Sequence, residues 1–149
     1  MSESNVKVYA SKDWVLEQLD IPNDNILNGE ANGSLRTSMS SVENDEYKLG
    51  TGAFAEGSST QASGPFSHAE GNRTIASGAN SHSEGLYTVA AGAEQHVQGK
   101  YNIEDTEGKY AHIIGNGINS APAARSNAHT VDWNGNGWFK GDVYVGGSD

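Results

Sequence analysis

The chain has 149 residues, 35% of them hydrophobic, with 19 glycines, 3 prolines, no cysteine and a formal net charge of −10. The low apolar share argues against a large conventional core, and the missing cysteines exclude a disulfide scaffold, thiolate metal sites and thiol catalysis. The acidic balance disfavours nucleic acid and anionic membranes as partners, and no apolar run reaches membrane-spanning length, so no membrane insertion is expected.

Residues 1–22 read as an attachment segment. Val6, Val8 and Ala10 alternate with Lys7 and Tyr9, the pattern of a short strand. Ser11 suits a helix N-cap, Asp13 the first turn, Val15 and Leu19 an i,i+4 pair, and Pro22 the stop. A helix this short needs a packing partner, which makes Trp14 and Leu19 candidate contacts between chains. The first ten residues lack the apolar stretch of a secretory signal, so synthesis in the cytoplasm without a signal peptide is expected. Residues 23–49 are rich in Asn, Ser, Gly and Glu, with scattered Ile26, Leu27, Leu35, Met39 and Val42. They read as an extended, ordered lead-in.

A repeat then takes over. Glycine stands at Gly50, Gly57, Gly64, Gly71, Gly78, Gly85, Gly92 and Gly99, a constant spacing of seven. Alternate sevens differ, so the unit is fourteen residues: Ser67-His68-Ala69-Glu70-Gly71 and Ser81-His82-Ser83-Glu84-Gly85 interleave with Thr74-Ile75-Ala76-Ser77-Gly78 and Thr88-Val89-Ala90-Ala91-Gly92. A fixed period signals stacked coils. Two and four residues before each glycine the side chains are nearly all small; one and three before, they are larger or polar. Strand side chains alternate faces, so each coil has a narrow interior of Ala, Ser, Thr and Gly. The predicted fold is mostly β: a β-solenoid of 14-residue coils rising about 4.8 Å each. The glycines are expected to supply positive-φ turns. Outward ladders follow: Phe54, His68, His82 and His96 on one flank, Gln61, Ile75 and Val89 on another, and Glu56, Glu70, Glu84 and Gln98 on a third. So small an interior buries little apolar area against the entropy of ordering. Association is therefore expected, most simply as a homotrimer, with Phe54, His68, His82, His96, Ile75 and Val89 as interface candidates.

The spacing slips between Gly99 and Gly115, sixteen residues apart, yet Ala111-His112-Ile113-Ile114-Gly115 keeps the repeat's form. Residues 100–110 read as an atypical last coil that covers the open sheet edge, completing a β-roll over residues 50–115. Residues 116–149 read as a loop and a small β-hairpin module, with Asn134-Gly135 as the turn signal. Trp133, Trp138 and Phe139 in this tail call for cover by partner chains.

No GxxxxGK[ST], GxSxG, HxH or HExxH pattern occurs. The chain therefore reads as non-enzymatic, without cofactor or metal. The repeated histidines admit two alternatives to packing. In a trimer, copies of His68, His82 or His96 meeting on the axis would form a metal column; a pH-dependent interface is the other. Stacked neutral imidazoles packing between chains are the preferred reading, because Phe54 shares their ladder position. Calcium-binding β-rolls need Asp in the repeat, and residues 50–99 contain none. The threonines of a flat ice-binding face are spaced correctly but fall on the interior side.

The fourteen-residue unit resembles the left-handed parallel β-roll of YadA-like trimeric autotransporter adhesin heads, which carry aliphatic residues where this chain has His68, His82 and His96. A wider set of strings is similar to phage tail-fibre and prophage appendage proteins of Gram-positive hosts. These are Ser67-His68-Ala69-Glu70-Gly71, Gln95-His96-Val97-Gln98-Gly99-Lys100-Tyr101-Asn102-Ile103, His112-Ile113-Ile114-Gly115-Asn116-Gly117, and Asn127-Ala128-His129-Thr130-Val131-Asp132-Trp133 through Gly141-Asp142-Val143-Tyr144-Val145-Gly146. The resemblance implies a fibrous homotrimer on a virion or phage-derived particle, partnered by other tail, baseplate or capsid proteins, acting as spacer and display surface in host attachment. The alternative is an adhesin or receptor-binding module that itself recognises a host-surface glycan or protein.

Overall fold

A computed structural model describes residues 27–29, 35–37 and 49–146. The N-terminal strand and helix, with Trp14 and Leu19, lie outside the described residues. Twelve strands follow in order: β1 Leu27–Gly29, β2 Leu35–Thr37, β3 Phe54–Ser58, β4 Gln61–Ala62, β5 His68–Asn72, β6 Ile75–Ala76, β7 His82–Leu86, β8 Val89–Ala90, β9 His96–Lys100, β10 Tyr110–Asn116, β11 Asn127–Asp132 and β12 Gly137–Phe139. They form two sheets, β1-β2-β3-β5-β7-β9-β10-β11-β12 and β4-β6-β8. Each of the first three coils gives one five-residue strand to the large sheet and one two-residue strand to the small one. The chain is thus the expected β-solenoid.

The coils stack in register. Phe54 pairs with His68, His68 with His82, His82 with His96, and His96 with His112, all in parallel ladders. The interior is as narrow as the small-residue face requires. Ala55, Ala62, Ala69, Ala76, Ser83 and Ala90 are fully buried, as are Thr74 and Thr88. One interior column widens along the stack, from Ala55 through Ala69, Ser83 and Val97 to Ile113. The widening fits the sixteen-residue last coil, which encloses more volume than the fourteen-residue ones.

The glycine expectation holds for half its positions. Gly57, Gly71 and Gly85 have φ +106° and Gly99 +94°, whereas Gly50, Gly64, Gly78 and Gly92 lie outside the left-handed region. At those four the reason is contact between coils: a Cβ on Gly64 would stand 2.0 Å from the carbonyl oxygen of Gly78. The left-handed corners are taken by other residues, each two past a glycine: Ser59, Phe66, Arg73, Asn80, Tyr87, Glu94 and Tyr101, with φ between +45° and +56°. Their geometry is locked by the coil before. Arg73 N–H donates to Ser58 O at 2.8 Å, Tyr87 N–H to Asn72 O at 2.9 Å and Tyr101 N–H to Leu86 O at 3.0 Å. A left-handed non-glycine costs roughly 1–2 kcal/mol, and a coil-to-coil hydrogen bond from the N–H of Phe66, Arg73, Asn80, Tyr87, Glu94 and Tyr101 holds each of these corners there.

The two sheets end differently. The small sheet is closed by a side chain. Asn102, fully buried, accepts from Val89 N–H at 2.8 Å and donates to Val89 O at 3.0 Å, so its amide stands in for the next strand. Gln95 holds the rest of the last coil, its Nε2 donating to Asp105 Oδ2 and Tyr110 O, both at 2.9 Å. The large sheet continues instead. β11 pairs antiparallel with β10, and β12 with β11. The tail expected as a separate module is therefore an extension of the roll's own sheet. Its hairpin has a three-residue loop, Trp133 to Gly135, closed by an Asp132 N–H to Asn136 O bond of 3.0 Å, with Gly135 at φ +83°. The Asp132 carboxylate accepts from the N–H groups of Asn134 and Asn136 at 2.9 and 2.8 Å, and the Asn136 side chain chiefly holds its pKa below the usual value. Residues 27–29 and 35–37, expected as part of an extended, ordered lead-in, form the antiparallel pair β1–β2 that joins β3 in parallel.

Candidate functional site

The most organised surface is the histidine flank of the large sheet. All five histidines of the chain lie in one column of rings, ended by phenylalanines. Centroid separations are 5.2 Å for Phe54–His68, 4.6 Å for His68–His82 and 4.7 Å for His82–His96, all stacked. The spacing is that of adjacent strands, as in-register stacking demands. His112 and His129 turn edge-on at 5.3 and 5.9 Å, and Phe139 stacks on His129 at 4.3 Å. The rings turn edge-on at the last parallel step, β9 to β10, and stay so across the antiparallel step to β11.

Beside the rings runs the glutamate column. His68 Nε2 stands 3.6 Å from Glu56 Oε1, His82 Nε2 3.5 Å from Glu70 Oε1, and His96 Nε2 3.5 Å from Glu84 Oε1. Each imidazole thus reaches back to the carboxylate of the preceding coil. These three nitrogen atoms are shielded from solvent and make no hydrogen bond, although the side chains are a third or more exposed. Gln98 replaces glutamate in the last repeat, and its Nε2 lies 3.3 Å from His112 Nε2. The pKa of His112 is lowered, first by burial and then by His96 and His129, with Glu84 opposing.

The remaining expected interface residues scatter. Ile75 is half-buried on the opposite flank, while Val89 is only 8% exposed, so its own chain already covers it. Val89 thus keeps the outward ladder register of Ile75 but is covered within its own chain, at the point where Asn102 bonds its backbone. Trp133 and Trp138 are about half exposed at the C-terminal end. Trp133 Nε1 donates to Gly108 O at 2.9 Å, which pins the ring over a cleft of about 340 Å³ lined also by Glu94, Thr106 and Glu107. A corner ladder carries Arg73, Tyr87 and Tyr101. The Arg73 guanidinium lies over the Tyr87 ring and hydrogen-bonds its hydroxyl, and Tyr87 stacks on Tyr101 at 5.1 Å.

Sequence reasoning found His68, His82 and His96 through their period, and His112 through its matching string. It missed His129 and Phe139 as members of the same column. Their signal lies in hairpin register, since Phe139 pairs with His129, and His129 with Ile114. The left-handed corners had a readable signal, the residue two after each glycine, but their variety hid it.

No helix among the described residues is long and apolar enough to cross a membrane. Comparison with protein-family models, curated proteins and solved structures returned no match for this chain.

Proposed function

We propose that the protein is a non-enzymatic structural component of a phage or phage-derived particle: a homotrimeric tail, baseplate or virion fibre whose solenoid is a stiff spacer and display surface in host attachment. One observation carries this reading. The packing is inverted relative to a self-sufficient domain. The interior is mostly Ala, Ser and Thr, while Phe66, Ile103, Ile118, Trp133, Trp138, Phe139, Val143, Tyr144 and Val145 are 46–89% exposed. Exposed apolar surface on this scale asks for partner chains. Phe54, His68, His82 and His96 offer a continuous ring column for them along the roll, and Trp133 and Trp138 offer aromatic cover at its end. The resemblance of the repeat and tail strings to phage appendage proteins supplies the particle.

Light scattering on the purified full chain tests the assembly, with an expected mass three times the 15.7 kDa of one chain. A monomer would overturn the trimer. Labelled antibody on assembled particles tests the location, and absence from the particle would overturn the virion assignment.

The second reading, a module that itself recognises a host glycan or protein, is favoured by one feature. The Trp133 ring is held rigid, half-exposed and flanked by Glu94 and Glu107, the aromatic-plus-carboxylate surface on which sugars stack. Binding of the isolated protein to host cell walls, lost in Trp133→Ala, would establish it; absence of binding leaves the spacer reading.

A further inference from the structure

The glutamate and histidine columns meet in a repeated bay that ring stacking does not use. Ligand-type atoms of Glu56, His68 and Glu70 all lie within 4.8 Å of one another, and so do those of Glu70, His82 and Glu84. In both bays the imidazole Nε2 and the carboxylate oxygen of the preceding coil stand 3.6 and 3.5 Å apart, and neither nitrogen has a hydrogen-bond partner. A normal hydrogen bond to nitrogen is about 2.7–3.2 Å long. Two ligands held at about 2.0–2.1 Å by one tetrahedral zinc ion stand roughly 3.4 Å apart. The observed spacing leaves room for a cation between the two atoms, and because it recurs at His96–Glu84, the second carboxylate, Glu70 or Glu84, is what singles out these two bays.

The donor set narrows the cation. One imidazole with two carboxylates suits zinc and its neighbours, whereas calcium takes six to eight oxygens. The two bays share three carboxylates, Glu56, Glu70 and Glu84, which together offset most of the charge of two divalent ions. The third repeat has the histidine but not the set, because Gln98 stands where Glu70 and Glu84 stand in the others. We infer that the bays Glu56–His68–Glu70 and Glu70–His82–Glu84 each bind one divalent transition-metal ion of the zinc class, clipping successive coils together. Every ligand comes from one chain, unlike an axial column built from three copies of one histidine. Glu70 serves both bays, with one oxygen available to each.

Metal-stripped full-length protein titrated with zinc chloride tests this, read by bound zinc per chain after dialysis and by calorimetry. About two ions per chain are expected, with a melting temperature that rises with zinc concentration. H82A is expected to lose one ion and E70Q both, while H96A keeps both. The melting temperature of each metal-free variant reports whether it folds. Q98E leaves both bays intact and is expected to raise the stoichiometry to three, an arm that does not depend on the stability of the deletion variants. No zinc bound by the unaltered chain, or one stoichiometry shared by the unaltered chain, H82A, E70Q and Q98E, would overturn the assignment.

Discussion

Thr74 and Thr88 occupy equivalent interior positions, yet their hydroxyls fare differently. Thr88 Oγ1 lies 2.9 Å from Ser83 Oγ and donates to Glu84 O at 3.0 Å, while Thr74 Oγ1 is buried without a partner. The cause is five residues upstream in each case: Ser83 faces Thr88, but Ala69 faces Thr74. A buried unpaired hydroxyl costs about 1–3 kcal/mol. Thr74→Val is therefore expected to raise stability by about 1 kcal/mol, and Thr88→Val to lower it by about 1–3 kcal/mol, since it orphans Ser83. Paired urea titrations decide it; equal shifts for the two variants would contradict the account. Asn102 carries more. Its amide satisfies the N–H and C=O of Val89 and donates to Ile103 O at 2.9 Å, all in a dry site. Asn102→Ala should cost about 3 kcal/mol or more, since three backbone groups lose their partner at once. Asn102→Asp should not rescue it, because a carboxylate has nothing to donate to two facing carbonyls. A denaturation midpoint for Asn102→Asp near that of the unaltered protein would refute the strand-mimic role.

Among the elements, β10 is where the solenoid changes character. It is the last parallel strand of the roll and the strand on which the antiparallel tail begins, pairing with β9 on one side and β11 on the other. Its side chains mark the change: Ile113 fills the widened interior, and His112 sits between His96 and His129 on the flank. Burial chiefly lowers the pKa of His112 from 6.5, so the folded chain prefers it neutral. A group with a depressed folded pKa that is charged when protonated binds more protons in the unfolded state. Stability is then full above the unfolded value and falls as pH drops below about 6.5. The melting temperature should decline between about pH 6.5 and 5, and His112→Gln should flatten that decline. Equal slopes in the two proteins would show that other groups govern the acid limb.

At the scale of the whole molecule, two kinds of closure divide the work. The small sheet is finished by one asparagine, and the large sheet runs on through β11 to β12. Roll and tail are consequently one sheet, so the proposed fibre would be stiff through the last coil rather than hinged there. The large apolar side chains collect on the outside of this unit, at the corners and along the tail. The trimer expected from light scattering is the prediction that belongs here, because a single roll with an Ala, Ser and Thr interior has little apolar burial to set against chain entropy.

Most of the solenoid was legible in the chain itself. A period of fourteen with small residues at alternate positions leaves one face of every strand with no side chain large enough to fill a conventional core, and in-register stacking follows from identical repeats. The columns of Phe54, His68, His82 and His96 and of Glu56, Glu70 and Glu84 were legible for the same reason. What folding alone settled concerns contacts without a period. The link between His112 and His129 depends on how an irregular loop returns β11 against β10. The role of Asn102 depends on which backbone groups the last coil leaves bare. The need for Gly64 arises from a carbonyl fourteen residues away, not from its own dihedral angles. Local pattern specifies which face a side chain takes; the meeting of distant backbones specifies what it finds there.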